Sequence, residues 1–533
     1  MRKKGKNMKT KTKYIFVSGG VLSGVGKGIT AASIGAILKA KGFKVSIQKC
    51  DPYLNVDAGL LSPAEHGECF VTKDGAETDL DLGHYERFLD EETTKNSTTL
   101  SGALFRDLIE KERAGGFKGQ TVQMVPHLTG AIHEAIERAG RGSDVHICEI
   151  GGTVGDYESL SFIEAIRSFA GIVGRRNCLY VSVVYAPFLN TSKEFKTKPA
   201  QNALRDLRGF GIIPDIVAVR TDRAANGKTS EKIARFAGIE KDAVVLLPDV
   251  KSVYDVPINV LKSGVLNVLN DFMDDDTEPD MSVWAELSRR SNESHDKSVT
   301  VGLIAEYIDN DDVYLSITEA LKAAALAEEV DLEIKWIYTE TLSDEDFVGI
   351  DGILVPGDFG ELGLEGKLKA TTYALENDVP FMGICQGLQM AAVAAANLGG
   401  LKNATSEEIH PKSQKKVIYY TGATRLGDSL IKLENASLVK RIYGSNIATE
   451  RHRHCYEVNK KFLPAIKKGS LVVSGTGFDG QTIEFVEAPS KKFFIATQAH
   501  PEYRSRPNRP HPLFLAFLKS TIKDQSSLAD LLI

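Results

Sequence analysis

Three groups of residues carry types and spacings suited to chemistry. Ser18 to Thr30 reads SGGVLSGVGKGIT, a glycine-rich turn after an apolar strand and before the helical AASIGAILKAKG. Backbone N–H groups at such a turn, with the helix N-terminus behind them, cradle phosphate, and Lys27 can reach a β- or γ-phosphate. The spacing departs from the common G-x4-G-K-[ST] loop, because Val21 and Gly28 stand where Gly and Ser/Thr would be. A purely structural glycine turn therefore stays open. Second, Glu68, Asp74, Glu77, Asp79, Asp81 and Glu86 crowd one segment, and Glu149 ends a strand before GGTVGD. Hard carboxylates opposite a phosphate loop suit Mg²⁺, and a solvated acidic loop fits equally well. The lysines of Lys196-Thr197-Lys198-Pro199-Ala200-Gln201 and Lys232 could hold a second triphosphate or form a surface charge run.

The third group is Gly383-Ile384-Cys385-Gln386-Gly387, a thiol nucleophile elbow between an apolar strand and the helical LQMAAVAAANLGG. A helix N-terminus favours the thiolate, and the N–H after the nucleophile can bind an oxyanion. His500-Pro501-Glu502 follows the strand-like FFIATQA and supplies a base with the carboxylate that orients it. Cys385, His500 and Glu502 make a catalytic triad; a buried cysteine with a surface histidine is the plain alternative.

The elements that position these groups alternate between strand and helix. Tyr14–Ser18, Val45–Gln48, Val145–Glu149 and Leu179–Val184 read as strands, and a second series begins at Val299–Ile304 and continues through Gly352–Pro356, Val379–Ile384 and Phe493–Thr497. This predicts an α/β fold of two domains, each a mostly parallel sheet covered by helices. The acidic DFMDDDTEPD and the polar SRRSNESHDKS place a linker at 274–298, with a short helical MSVWAEL inside it. A basic tail covers 1–13, one domain 14–273 and the other 299–533.

Composition narrows the function. The 533 residues are 42% hydrophobic and 26% charged, which excludes disordered and collagen-like classes. Seven of the 65 Lys and Arg lie in the first thirteen positions, leaving 58 against 71 acids in the body. A body so acidic is not a general nucleic-acid binder. No apolar run approaches the roughly 18 residues of a membrane span, and no leader-like apolar stretch follows the basic start, so a cytoplasmic protein is expected. Cys50, Cys69, Cys148, Cys178, Cys385 and Cys455 form no C-x-x-C pair, which indicates neither zinc site nor disulfide framework.

SGGVLSGVGKG, KCDPYLNVD, DGAETDLDLGHYERF, EIGGTVGD, KTKPAQ, GICQGLQ, ERHRHCYEVN and AHPEYRSRP occur in the order in which similar strings occur in CTP synthases. The chain resembles that family from about Tyr14 to Phe517. The resemblance implies a P-loop-like synthase domain, a class I glutamine amidotransferase domain, and ATP-dependent amination of UTP to CTP with ammonia from glutamine, through a 4-phosphorylated UTP. It implies ATP on Gly24, Val25, Gly26, Lys27, Gly28 and Ile29, with Asp81, Asp249 and Val250, and Mg²⁺ on Asp81 and Glu149. UTP or CTP would meet Ser23, Asp156, Tyr157, Glu158, Lys196, Thr197, Lys198, Gln201 and Lys232, with CTP as feedback inhibitor. Glutamine would meet Asp358, Gln386, Gly387, Leu388, Gln389, Glu408 and Cys455. No tightly bound organic cofactor is implied. Ammonia would pass between domains through a tunnel, and the family's assembly would be a homotetramer that can form filaments. A non-catalytic scaffold paralogue and another amidotransferase-coupled ligase are the competing readings.

Departures gather in the second half. The family's PGGFG is here Pro356-Gly357-Asp358-Phe359-Gly360, and Cys455 stands where the family has arginine. Three cationic positions associated with GTP activation are Glu306, Leu315 and Leu362, and the stretch between Glu408 and Gly422 is short. GTP is therefore expected to activate weakly or not at all.

Overall fold

The computed structural model describes residues 12–22, 24–358 and 363–522. The chain forms two compact units, one of residues 1–58 and 84–292, the other of 59–83 and 293–533.

The first unit is built on seven parallel strands in the order Val244–Pro248, Ile216–Thr221, Cys178–Tyr185, Lys13–Gly19, Val145–Ile150, Val45–Asp51 and Thr98–Leu100. Central strands of such a sheet are covered on both faces and read as near-continuous apolar runs, as do KYIFVSG and CLYVSVVY. Val45–Asp51 and Thr98–Leu100 lie to one side of Lys13–Gly19, Val145–Ile150 inserts between it and Val45–Asp51, and the later strands lie to its other side, so the order reverses there. Ligands of open α/β sheets bind at the carboxyl edge beside such a reversal, which is where the glycine loop and Glu149 lie. The segment 274–298 contains the helix Ser282–Asn292, whose Trp284 is buried against Phe88 with ring centroids 5.0 Å apart.

The second unit carries a ten-stranded mixed sheet. Asp331–Tyr338, Ser298–Ala305, Gly352–Val355, Phe381–Ile384 and Phe494–Thr497 run parallel in that order. Ile483–Glu487, Val472–Gly477 and the long hairpin of Lys416–Leu433 with Ile447–Val458 extend it in antiparallel fashion. Segment 59–83, although it precedes most of the first unit in sequence, belongs to this second core. Its small hairpin, Phe70–Val71 with Glu77–Thr78, covers the fully buried Arg451, which donates to Val71 O at 3.2 Å and lies over the Phe70 ring. Glu68 is buried at the start of the helix Leu315–Glu328 and accepts from Ser316 N at 2.9 Å and Ser316 Oγ at 2.5 Å. A carboxylate there satisfies N–H groups that a helix start leaves unpaired and lies at the positive end of its dipole.

Glu68→Ala strands the buried Ser316 donors and should destabilise the second unit by about 2–3 kcal/mol. Each unit holds one tryptophan, Trp284 and Trp336. The measurement is therefore urea unfolding followed on Trp336 in a Trp284→Phe background, and an unchanged midpoint would contradict the assignment.

Candidate active sites

The first site forms around the strand Lys13–Gly19. Its glycine loop needs left-handed backbone at Gly24 and at Gly26, φ 71° and 88°, a conformation glycine adopts without steric cost. Gly26 then caps the helix Lys27–Ala40. Lys27 is buried and donates from Nζ to Gly152 O at 3.0 Å, in the loop after Glu149. Val25 and Gly28 are buried behind the loop while Ile29 is half-buried. Parallel register sets Val17 beside Glu149, and Glu149 beside Lys49.

Glu149 is 1% exposed; its Oε1 lies 3.2 Å from Lys49 Nζ, and its Oε2 accepts from the Tyr85 hydroxyl. Lys49 also faces Asp51 at 3.9 Å. These two buried carboxylates near the glycine loop are hard-oxygen donors of the kind Mg²⁺ takes. Among the described residues no group of three His, Cys, Asp or Glu forms a metal cage. Asp81, half-buried, opens the helix Asp81–Leu89 and is part of the second unit. The rest of the acidic segment is largely engaged elsewhere: Glu68 with Ser316, Glu77 with Arg453 at 2.8 Å, Asp74 with Thr72 and Glu86 with Thr93.

Sequence reasoning missed Arg220. It ends the strand Ile216–Thr221, its Nε would lie 3.6 Å from a Cβ placed on Gly26, and Asp249 holds its guanidinium at 2.6 Å. The predicted Asp249 thus fixes a cation against the phosphate loop, with Val250 half-buried next to it. Lys49 and Tyr85 were also missed: strand register reveals the partner of Lys49, and only the packing of the helix Asp81–Leu89 brings Tyr85 to Glu149.

Of the predicted UTP and CTP residues, Ser23 lies outside the described residues. Asp156, Tyr157 and Glu158 form an exposed turn after Gly155, with Tyr157 90% exposed. Thr197 caps the helix Lys198–Gly209 and accepts from Gln201 Nε2 at 3.2 Å. Lys196 bonds to Glu194, and Lys232, on the helix Gly227–Ala237, helps to hold the Glu194 carboxyl below its usual range after the larger effect of Lys196. The two predicted lysine sets therefore share one exposed neighbourhood.

The second site is made by two adjacent strand ends. Ile384 pairs with Thr497, and Cys385 N donates to Thr497 O at 2.7 Å, so the residues after each strand meet. Cys385 has φ 50°, a strained conformation for a side chain with a Cβ, and the helix Gln386–Leu398 starts directly behind it. His500 Nδ1 donates to Glu502 Oε1 at 2.7 Å, and Tyr503 stacks on the imidazole at 5.2 Å. All three triad residues are buried. Burial alone would lower the His500 pKa, but the Glu502 carboxylate and the Cys385 sulfur outweigh it and raise it to about 10. This stabilises an imidazolium between the carboxylate and the sulfur, the charged partner a thiolate needs.

Gly357 lies over the pair. A Cβ there would come within 2.8 Å of Cys385 Cβ and 2.9 Å of His500 Cε1, so only glycine allows this approach. Asp358 follows it. Gln498 Nε2 is 3.7 Å from Cys385 Sγ and was missed, although its place two residues before His500 is a usable signal. Gln386, Gly387 and Gln389 are buried along the first helical turn, with Gln389 donating to Tyr456 O at 3.3 Å, while Leu388 packs in the apolar core. Burial, then the neighbouring Glu408 carboxylate and Cys385 sulfur, push the Cys455 thiol up. Glu408 and Cys385 are therefore close enough to Cys455 to act on its charge.

The chain is similar to known proteins along most of its length. Residues 13–274 match the model of the CTP synthase N-terminus, and residues 310–520 match the class I glutamine amidotransferase model. The chain is 44% identical to a CTP synthase of Methanocaldococcus jannaschii, over 96% of this chain and 99% of that one. It is 46% identical to a CTP synthase of Carboxydothermus hydrogenoformans, over 96% and 99%. Among solved structures, the glutaminase domain of Trypanosoma brucei CTPS with bound acivicin is 32% identical, covering 42% of this chain and 93% of that one, at a TM-score of 0.40. With similarity along nearly its whole length, the chain belongs to the CTP synthase family of enzymes.

Proposed function

We propose that the protein aminates UTP to CTP at the expense of ATP, with nitrogen drawn from glutamine. The observation that carries this is the presence in one chain of a buried Cys385–His500–Glu502 triad and a glycine loop whose buried Lys27 reaches Gly152 O in the loop after the strand-end carboxylate Glu149. Neither alone needs the other; together they fit a ligase that makes its own ammonia.

In the first unit the loop amides and Lys27 hold the phosphates of ATP, with Arg220 beside them. UTP lies against the Lys196–Gln201 segment and Lys232. Transfer of the γ-phosphoryl group to O4 of the uracil ring turns a poor leaving oxygen into phosphate, which ammonia then displaces; the products are CTP, ADP and phosphate. Positioning and charge stabilisation are the protein's main task in such a transfer. Glu149 would hold Mg²⁺, which would supply positive charge against the phosphates. Lys49 and Tyr85 keep the Glu149 carboxylate oriented. Asp156, Tyr157 and Glu158 are the proposed contacts for CTP as feedback inhibitor.

In the second unit the Cys385 sulfur attacks the amide carbon of glutamine, and the N–H of Gln386 faces the oxyanion. His500 gives its proton to the departing ammonia and then takes one from the water that opens the thioester, releasing glutamate. Glu502 holds the ring for both steps. Glu408 receives the substrate ammonium, and Cys455, Gln389 and the backbone of Asp358 complete the glutamine pocket. A homotetramer in the cytoplasm is the proposed state.

Cys385→Ala should lower glutamine-dependent CTP formation by at least about a thousandfold while synthesis from ammonia continues. Full glutamine-dependent activity in that variant would defeat the triad. Lys27→Ala should lower synthesis from either nitrogen source by about a thousandfold, since both need the phosphorylated UTP. Near-normal ammonia-dependent turnover there would make the loop structural.

GTP should leave glutamine-dependent turnover nearly flat. Glu306, Asp309 and Glu340 line a cavity of about 390 Å³ with Tyr307 and Tyr338, and no Lys or Arg is among its described lining residues. A triphosphate there meets the acids Asp309 and Glu340, while Lys367 behind Glu306 is already bound by Glu306, Asp358 and Gln386. Titration at saturating ATP and UTP is the check, and a rise of about tenfold would overturn the expectation.

A further inference from the structure

One buried cation in the second unit has no part in the chemistry above. Lys367, on the helix Leu364–Asn377, is fully buried, and its Nζ lies 2.6 Å from Gln386 Oε1, 2.6 Å from Asp358 Oδ2 and 2.7 Å from Glu306 Oε1. An ammonium has three donors, and all three are used. Tyr314 closes the network: its hydroxyl accepts from Glu306 N at 2.9 Å and donates to Asp358 Oδ2 at 3.1 Å.

The acceptors are not equivalent in position. Gln386 is the residue after the nucleophile, and its N–H faces the oxyanion. Asp358 follows Gly357, which touches both Cys385 and His500. Lys367 therefore joins the two pieces of backbone that frame the reacting carbonyl, the elbow and the loop Pro356–Asp358. The loop has a handle for this only because position 358 carries a carboxylate; glycine there would offer Lys367 nothing to bind.

We propose that Lys367 is a positioning residue for glutamine hydrolysis, holding the Asp358 loop and the Cys385 elbow in their reactive arrangement through a buried ion pair supplied by the chain itself. The proposal rests on the reading of Cys385 as the glutamine-hydrolysing nucleophile.

The cluster also has a charge sense. Burial, outweighing Lys367 and reinforced by Asp358 and Glu408, raises the Glu306 carboxyl to about 7. The groups around it are Lys367 from its helix, Asp358 from its loop, Glu408 beyond the strand Thr405–Ser406, Tyr314, the adjoining Tyr307, Tyr338 on the strand Asp331–Tyr338, and Asp309 and Glu340 across the cavity that Glu306 lines. Below about 7 the Glu306 carboxyl keeps its proton, and Lys367 with Asp358 is neutral. Above it the cluster gains a negative charge beside Gln386, which opposes the developing oxyanion. Hydrolysis should slow as pH rises through 7.

The test is glutamate release by the full chain with ATP and UTP saturating, across pH 6 to 9. Asp358→Gly should lower kcat at least about tenfold with KM changed less than about threefold, as expected when an interaction made mainly in the transition state is lost. Asp358→Asn, which can still accept from Lys367 and Tyr314, should recover most of that loss. Lys367→Met should behave like Asp358→Gly; because it strands two buried carboxylates, Trp336 fluorescence must first show that its second unit is folded, and Asp358→Gly decides the matter if it is not. Glu306→Gln should flatten the decline through pH 7. Wild-type kcat in Asp358→Gly, or an unaltered pH profile in Glu306→Gln, would overturn the proposal. If the wild type releases no glutamate, or Cys385→Ala releases as much, the reading of the nucleophile fails and the proposal falls with it.

Discussion

Parallel strand pairing is the constraint on which both active sites depend. In a parallel sheet every strand ends at the same edge, so residues that follow different strands are delivered to one place whatever their separation in sequence. The pairing of Ile384 with Thr497 brings Cys385 and His500 together, and the pairing of Val17 with Glu149 sets the phosphate loop beside a carboxylate. A register slip of one residue in either pair would turn these side chains to the other face.

Electrostatics then differs between the two edges. At the first, the cations Lys27, Lys49 and Arg220 are each held by an oxygen of the protein. At the second, one buried ammonium serves two carboxylates, and one imidazole is charged between a carboxylate and a sulfur. Such buried charges are costly unless paired. Their pairing defines where loop and elbow can sit, which connects the interior polarity of the second unit to the rate of its chemistry.

Much of this was legible in the sequence because it depends on local pattern. The strands Lys13–Gly19 and Cys178–Tyr185 announce themselves as apolar runs, and the elbow and the His500-x-Glu502 pair are short motifs. What was not legible depends on contacts between distant residues. The acidic segment after His66 reads as one charged loop, yet Glu68 finds Ser316 and Glu77 finds Arg453, more than two hundred positions away. Segment 59–83 reads as part of the first half, and pairs such as these tie it to the second core. Lys367 has no sequence signal linking it to Gln386, and Arg220 none linking it to Gly26. Position 358 was visible as a departure, but its consequence depends on a lysine that only the fold brings to it.

The most direct measurement of the central claim follows the nitrogen. Glutamine labelled with ¹⁵N in its amide, supplied with UTP, ATP and Mg²⁺, should yield CTP carrying the label at its exocyclic amine, with one glutamate and one ADP formed for each CTP. Glutamate release with no labelled CTP, or CTP formed without consumption of ATP, would contradict the coupling of the two sites.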